Sequence, residues 1–206
     1  MVAPLVVFLV ATIALNLSPG PDMLYVISRS MGQGRRAGIV SALGIGAGTL
    51  FHMSVTAIGL SAVLLSLPIA YEMIRYAGAA YLFYLGFRML MSSRVPLSPQ
   101  SSAPVQKESL TAIFRQGVTT NVLNPKVALF FLAFLPQFVN EVQGGFALQI
   151  VFLGLLFDTS GTTWNIIVAL LAGRASSALR NRSGFTRVQR ILPGAILIAL
   201  SIFVAI

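Results

Sequence analysis

Cysteine is absent, histidine and tryptophan occur once each, and only 5 acidic side chains are spread over 206 residues. The first absence removes disulfides, thiolate redox chemistry and any Cys-ligated metal, and a lone histidine leaves little scope for another kind of metal centre. Charge of either sign is scarce, at 9% of residues against 56% hydrophobic, about a third of the charged share of a soluble domain. A water-covered surface cannot be assembled from that inventory. It excludes a soluble enzyme, a disordered tail and a collagen-like fibre.

What is present is a series of apolar runs separated by short polar stretches, with mean hydropathy +0.86. A helix crosses the hydrocarbon core with about 20 apolar residues, and six runs qualify: about 4–28, 38–65, 72–91, 114–139, 147–172 and 189–206. The first has no Lys or Arg before Arg29 and passes into SPGPD instead of a small-residue cleavage site, so it reads as a span and not as a signal peptide. The last opens with Pro193, in the turn where a missing N–H matters least.

A net charge of +9 on a soluble chain would point to nucleic acid, but here the basic residues lie between apolar runs and act as topology signals. All except Arg75 and Lys126 fall in the first, third and fifth loops or their flanks. The positive-inside rule then puts that side in the cytoplasm and both termini outside it. The long loop, 92–113, is rich in Ser, Pro and Gln and reads as a flexible cytoplasmic linker between two halves, 1–91 and 114–206. With three spans each, the halves enter the membrane from opposite sides. The expected fold is an all-α membrane protein of six helices in two inverted three-helix repeats. A displacement of 106 residues lays Pro125 on Pro19, Gly154 on Gly48 and Asp158 on His52; coincidence is the competing explanation of that match.

Ionisable side chains inside spans are costly and are functional candidates by default. There are four: Asp22, His52, Lys126 and Asp158. Asp22 ends NLSPGPD, where Pro19 and Pro21 remove two backbone donors and Gly20 permits unusual dihedrals, so the helix should break and restart near Asp22. The competing reading is a packing kink with Asp22 capping the second half-helix. A matching break clusters Asn121, Asn124, Pro125 and Lys126. At that depth Lys126 needs an anion: Asp22, Asp158 or a substrate carboxylate, with a purely structural salt bridge as the alternative. In the second span Gly44, Gly48, His52 and Thr56 recur every four residues. The glycines suit close helix packing, while His52 is either a proton site or a hydrogen-bonded packing residue. Asp158 opens the polar run DTSGTTWN, which suggests that the fifth span lines a cavity; Trp164 reads as packing or an interface anchor.

PGPD at 19–22, the glycine-spaced stretch ending in His52 and Gly59-Leu60, AGAAYLFYLG at 77–86, NVLNPK at 121–126 and FLPQF at 134–138 together resemble the LysE/RhtB family of bacterial amino-acid exporters. The resemblance covers nearly the whole chain, and its force lies in the ordered set. It implies an inner-membrane carrier that moves amino acids outward on the proton gradient, with no cofactor. The branch exporting lysine and arginine typically has Gln where this chain has Asp22, so the resemblance is nearer the branch handling homoserine, threonine, leucine and related neutral amino acids. Expected partners are the amino acid, protons and the bilayer, with a homodimer left open.

Three other classes compete: a basic amino-acid exporter of the same family, a channel, and an intramembrane hydrolase built on Ser160-Gly161 and His52. Two opposed proline breaks suit alternating access better than a pore, and no protease pattern surrounds Ser160.

Overall fold

A computed structural model describes residues 2–60, 68–91, 107–140, 144–172, 191, 194–199 and 201–202, and every regular element among them is helical. The helices are α1 (Val2–Leu17), α2 (Pro21–Gln33), α3 (Arg35–Val55), α4 (Pro68–Met91), α5 (Leu110–Val122), α6 (Pro125–Leu129) and α7 (Phe146–Ala172). A π-helical turn, Thr56–Leu60, prolongs α3. A second π turn, Phe130–Phe134, and a 3-10 turn, Leu135–Phe138, prolong α6.

Local chemistry explains the interruptions. Ser18 precedes a proline, which disfavours continuing the helix, and Gly20 is extended at φ −158°. Pro21 then opens α2 at a first-turn position that needs no N–H donor. At the other break Asn124 caps α6, its side-chain oxygen accepting from the Lys126 N–H at 3.0 Å, with Pro125 again in the first turn. Each broken pair bends by nearly the same amount, 46° between α1 and α2 and 48° between α5 and the segment Pro125–Phe138. Gly34, at φ 87°, ends α2 in a conformation that favours glycine and reverses the chain into α3.

α3 and α7 are long and apolar enough to cross a membrane, and each bent pair passes as a single broken span, which gives two to four candidate spans among the described residues. The expected third span corresponds to α4. The end of the second, at 61–65, and most of the sixth lie outside the described residues, as does linker segment 92–106. Helix α5 starts at Leu110, a few residues before the apolar run begins, because Ser109 supplies an N-cap, accepting from the Ala112 N–H at 3.2 Å.

Polarity is inverted relative to a soluble protein. Ile58, Ile69, Leu123 and Leu148 are exposed while Thr12, Ser41, Thr49, His52, Asn121, Asn124 and Asn165 are buried, as expected where lipid is the outer solvent. Phe8, Phe130, Phe131, Phe134 and Phe157 form an aromatic core, with Phe130 stacked on Phe157 at 4.5 Å between centroids. The glycine stripe of α3 lies on α5: a Cβ on Gly44 would stand 2.3 Å from the Phe114 carbonyl oxygen, and one on Gly48 2.7 Å from the Asn121 Cβ. Gly44→Ala is therefore expected to lower stability by about 1–3 kcal/mol through overpacking against immobile backbone. Thermal unfolding in detergent checks it, with Gly59→Ala as the control, since a Cβ on Gly59 would meet nothing within 4 Å.

Candidate functional site

Pro19 has no N–H with which to bond the Leu15 carbonyl four residues back, and the extended Gly20 ends the ladder that would otherwise cover the Ser18 carbonyl. The donor that replaces them comes from the other half of the chain. The Lys126 ammonium donates to Leu15 O at 3.1 Å and to Ser18 O at 3.0 Å. A cation at a helix C-terminus also complements the negative end of its dipole. The lysine thus meets the carbonyls freed at the first break, not a carboxylate.

Asp22 lies in the first turn of α2 but does not cap it. Its Oδ2 accepts from Asn121 Nδ2 at 2.8 Å, across the interface between the halves. Its Oδ1, like Asn124 Nδ2, is buried without a hydrogen-bond partner. Asn121 is fixed further by Thr49, whose hydroxyl points at its Oδ1 at 3.4 Å, and by His52, whose Nε2 lies 3.0 Å from its backbone carbonyl. With that carbonyl as acceptor, Nε2 carries the proton. The imidazole also stacks on Phe131.

Asp22, Asn121, Lys126 and Asp158 line one buried cavity, together with Asn16, Ser18, Thr49, Phe157, Gly161, Thr162 and Asn165. Its volume is about 30 Å³, roughly one water's share of liquid, so as it stands it is too small for an amino acid. Asp158 sits on the α7 wall and accepts from the Thr162 hydroxyl at 3.2 Å. Of the residues singled out in the sequence, His52 stands behind Asn121 and outside the lining, and Asn124 acts as the α6 cap. Pro21 and Pro125 are exposed, Pro19 and Gly20 half-buried, and all four set the breaks. Trp164 packs beside Met23 and Val26.

Thr49 escaped the sequence reading, since an uncharged polar residue alone in a span carries no signal that separates cavity lining from packing, while Thr162 and Asn165 stood within the run DTSGTTWN without being singled out. Asn16 stood inside the break motif itself, and its amide donates to Ser160 Oγ at 3.0 Å on α7. Each break therefore carries an asparagine that reaches a long helix of the opposite half, Asn16 to α7 and Asn121 to α3.

A charged, polar cavity walled by two broken helices is an arrangement found in transporters. Among relatives, an uncharacterized membrane protein of Bacillus subtilis (strain 168), YrhP, is 30% identical over 190 residues, 89% of this chain and 90% of its own. A leucine efflux protein of Klebsiella pneumoniae is 31% identical over 150 residues, 72% and 70% of the two chains. One from Salmonella typhimurium is 32% identical over 133 residues, 65% and 62%. No solved structure matches the chain. The LysE type translocator profile matches residues 13–206. With a match of that extent, and apolar helices that bury their polar groups around a central cavity, the chain is a multi-pass helical membrane protein, a transporter and not an enzyme, and belongs to the LysE type translocator family.

Proposed function

We propose that the chain exports small neutral amino acids, such as homoserine, threonine or leucine, across the bacterial inner membrane by proton antiport with alternating access. The observation that carries this is that Asp22 and Lys126, one from each half, stand on the wall of one cavity without bonding each other. A zwitterion has matching ends. Its carboxylate would go to Lys126 and its ammonium to Asp22, whose Oδ1 is unpartnered, with Asp158 as a second anion on the facing wall. Relatives named leucine efflux proteins support the same class.

In this reading six spans form two inverted three-helix repeats, with both termini periplasmic and the linker cytoplasmic. The near-equal bends, 46° and 48°, and the reciprocal reach of Asn16 and Asn121 across the halves support it. So does the placement of the basic residues. Proton coupling requires a group that changes charge during the cycle; Asp22, Asp158, Lys126 and His52 are the candidates.

Uptake and counterflow in proteoliposomes, across a panel of amino acids with and without an imposed pH gradient, test the proposal. Neutral amino acids are expected to accumulate against their gradient only when the pH gradient is imposed, and to show saturable counterflow. Faster carriage of arginine than of any neutral amino acid would overturn the substrate class, and gradient-independent, non-saturable flux would point to a channel.

A further inference from the structure

The cavity is too small for an amino acid as it stands, so a substrate must enter by parting contacts around it. On the linker side, the same two helices that join at Asp22 and Asn121 join a second time. Arg29 Nη2 of α2 pairs with Glu108 Oε1 at 2.7 Å, immediately before α5. Arg29 also contacts the Gln116 Oε1, and the Gln116 amide donates to Glu108 Oε2. Tyr25 donates to the Ile113 carbonyl at 2.8 Å, and Gln33 donates to the Glu108 carbonyl at 3.0 Å. Hydrogen bonding from Arg29 holds the Glu108 carboxyl below the usual carboxylate range, so the ion pair stays charged at neutral pH. Asp22 lies one turn from Tyr25 on α2, and Asn121 little more than one turn from Gln116 on α5, which places the two joints in series along one seam.

Outside this network lies a larger groove of about 560 Å³, walled by Tyr25, Arg115, Gln116, Thr119, Thr120 and Leu123. Arg115, Gln116 and Thr119 are exposed, and the spacing 115, 116, 119, 120 puts these four α5 residues on one helical face, with Leu123 just past its end. The guanidinium and amide on that face are expensive against hydrocarbon and belong against water. Tyr25 and Gln116 are shared between the groove wall and the network.

We propose that Tyr25, Arg29, Glu108 and Gln116 form the linker-side gate of the cavity, and that the groove outside it is a hydrated vestibule in which Arg115 first meets the substrate carboxylate. The inference rests on the transport reading above and adds a second, peripheral amino-acid site and the contact that separates it from the first. Opening means parting α2 from α5. An ammonium that reaches Asp22 competes with Asn121 for the carboxylate and so loosens the inner joint, while the Arg29–Glu108 pair must yield for the outer one.

The absence of cysteine allows a direct test by accessibility, which needs no substrate and so fails or succeeds independently of the export reading. Thr49→Cys and, separately, Ile45→Cys place a sole thiol on the cavity wall. Each is exposed to a membrane-impermeant thiol reagent from the linker side of oriented vesicles. With the gate intact labelling is expected to be slow; adding Glu108→Ala should speed it roughly tenfold or more by raising the open population. The exchanged pair Arg29→Glu with Glu108→Arg should restore protection, which separates gating from general misfolding. Equal labelling with and without Glu108→Ala, in both reporters, would overturn the gate. For the vestibule, Arg115→Gln is expected to raise KM from the linker side several-fold with kcat unchanged, as loss of electrostatic capture predicts; an unchanged KM would overturn it.

Discussion

Asp22→Asn is expected to abolish transport while leaving the protein folded. An asparagine at this position keeps the shape of the carboxylate and still offers an oxygen to Asn121 Nδ2, so the bond now 2.8 Å long survives as a neutral one. Stability should change by less than about 1 kcal/mol, the difference between a charge-assisted and an ordinary hydrogen bond being partly offset by relief from burying a charge. Substrate loses more. Without the negative charge its ammonium forfeits a charge-assisted contact of about 3 kcal/mol, which corresponds to roughly 100-fold in binding. Proteoliposome uptake, with thermal unfolding on the same preparation, checks both halves of the expectation. A stable variant with near-normal gradient-driven transport would remove Asp22 from the site and shift the assignment to Asp158 and His52.

Lys126→Met is expected to abolish transport as well, but with a measurable loss of stability. Methionine keeps length and apolar bulk while stripping the last turn of α1 of the donor on Leu15 O and Ser18 O. Both carbonyls then lose a cationic donor, at about 1.5–3 kcal/mol for a bond to a charged group and less at Leu15 O, which keeps the Ser18 N–H at 3.2 Å, with the lysine's own desolvation returned against that sum. The net effect is a destabilisation of a few kcal/mol, seen as a lower unfolding temperature, and loss of coupling between the first break and the second.

The double variant is informative because Asp22 and Lys126 have separate partners. A structural salt bridge would be rescued when both charges go together. Here rescue should be incomplete: the opposite charges share one cavity and feel each other, but neither residue is the other's hydrogen-bond partner, so the carbonyls that Lys126 serves stay unserved in the double variant. A double variant more stable than Lys126→Met alone, and active, would show that the two residues serve only each other.

Composition and local pattern were enough to determine the solvent, the helical class and both breaks. Apolar runs of span length and scarce charge leave a helical membrane protein as the consistent solution. Prolines at 19, 21 and 125, with Gly20 and Asn124 beside them, interrupt helices for reasons confined to a few consecutive residues. The intramembrane Asp22, Lys126 and Asp158 stood out because each is individually expensive. Which partner each would take was not legible. Lys126 suited any of three anions by sequence and takes two carbonyls instead, because Pro19 denies Leu15 O its donor four residues on, leaving it the Ser18 N–H at 3.2 Å, and only the folded chain brings residue 126 to it. His52 was open between proton site and packing residue, and its position behind Asn121 follows from how closely α3 and α5 approach over Gly44 and Gly48. Thr49 was silent, and Asn16 and Thr162 were not singled out within their motifs, for a related reason: the desolvation of an uncharged polar group is small enough to be met by many partners, so which of them reaches a cavity wall is decided by tertiary contacts. The linker-side network is the extreme case, since Arg29 read only as a topology signal and Glu108 carried no reading until the packing of α2 on α5 joined them.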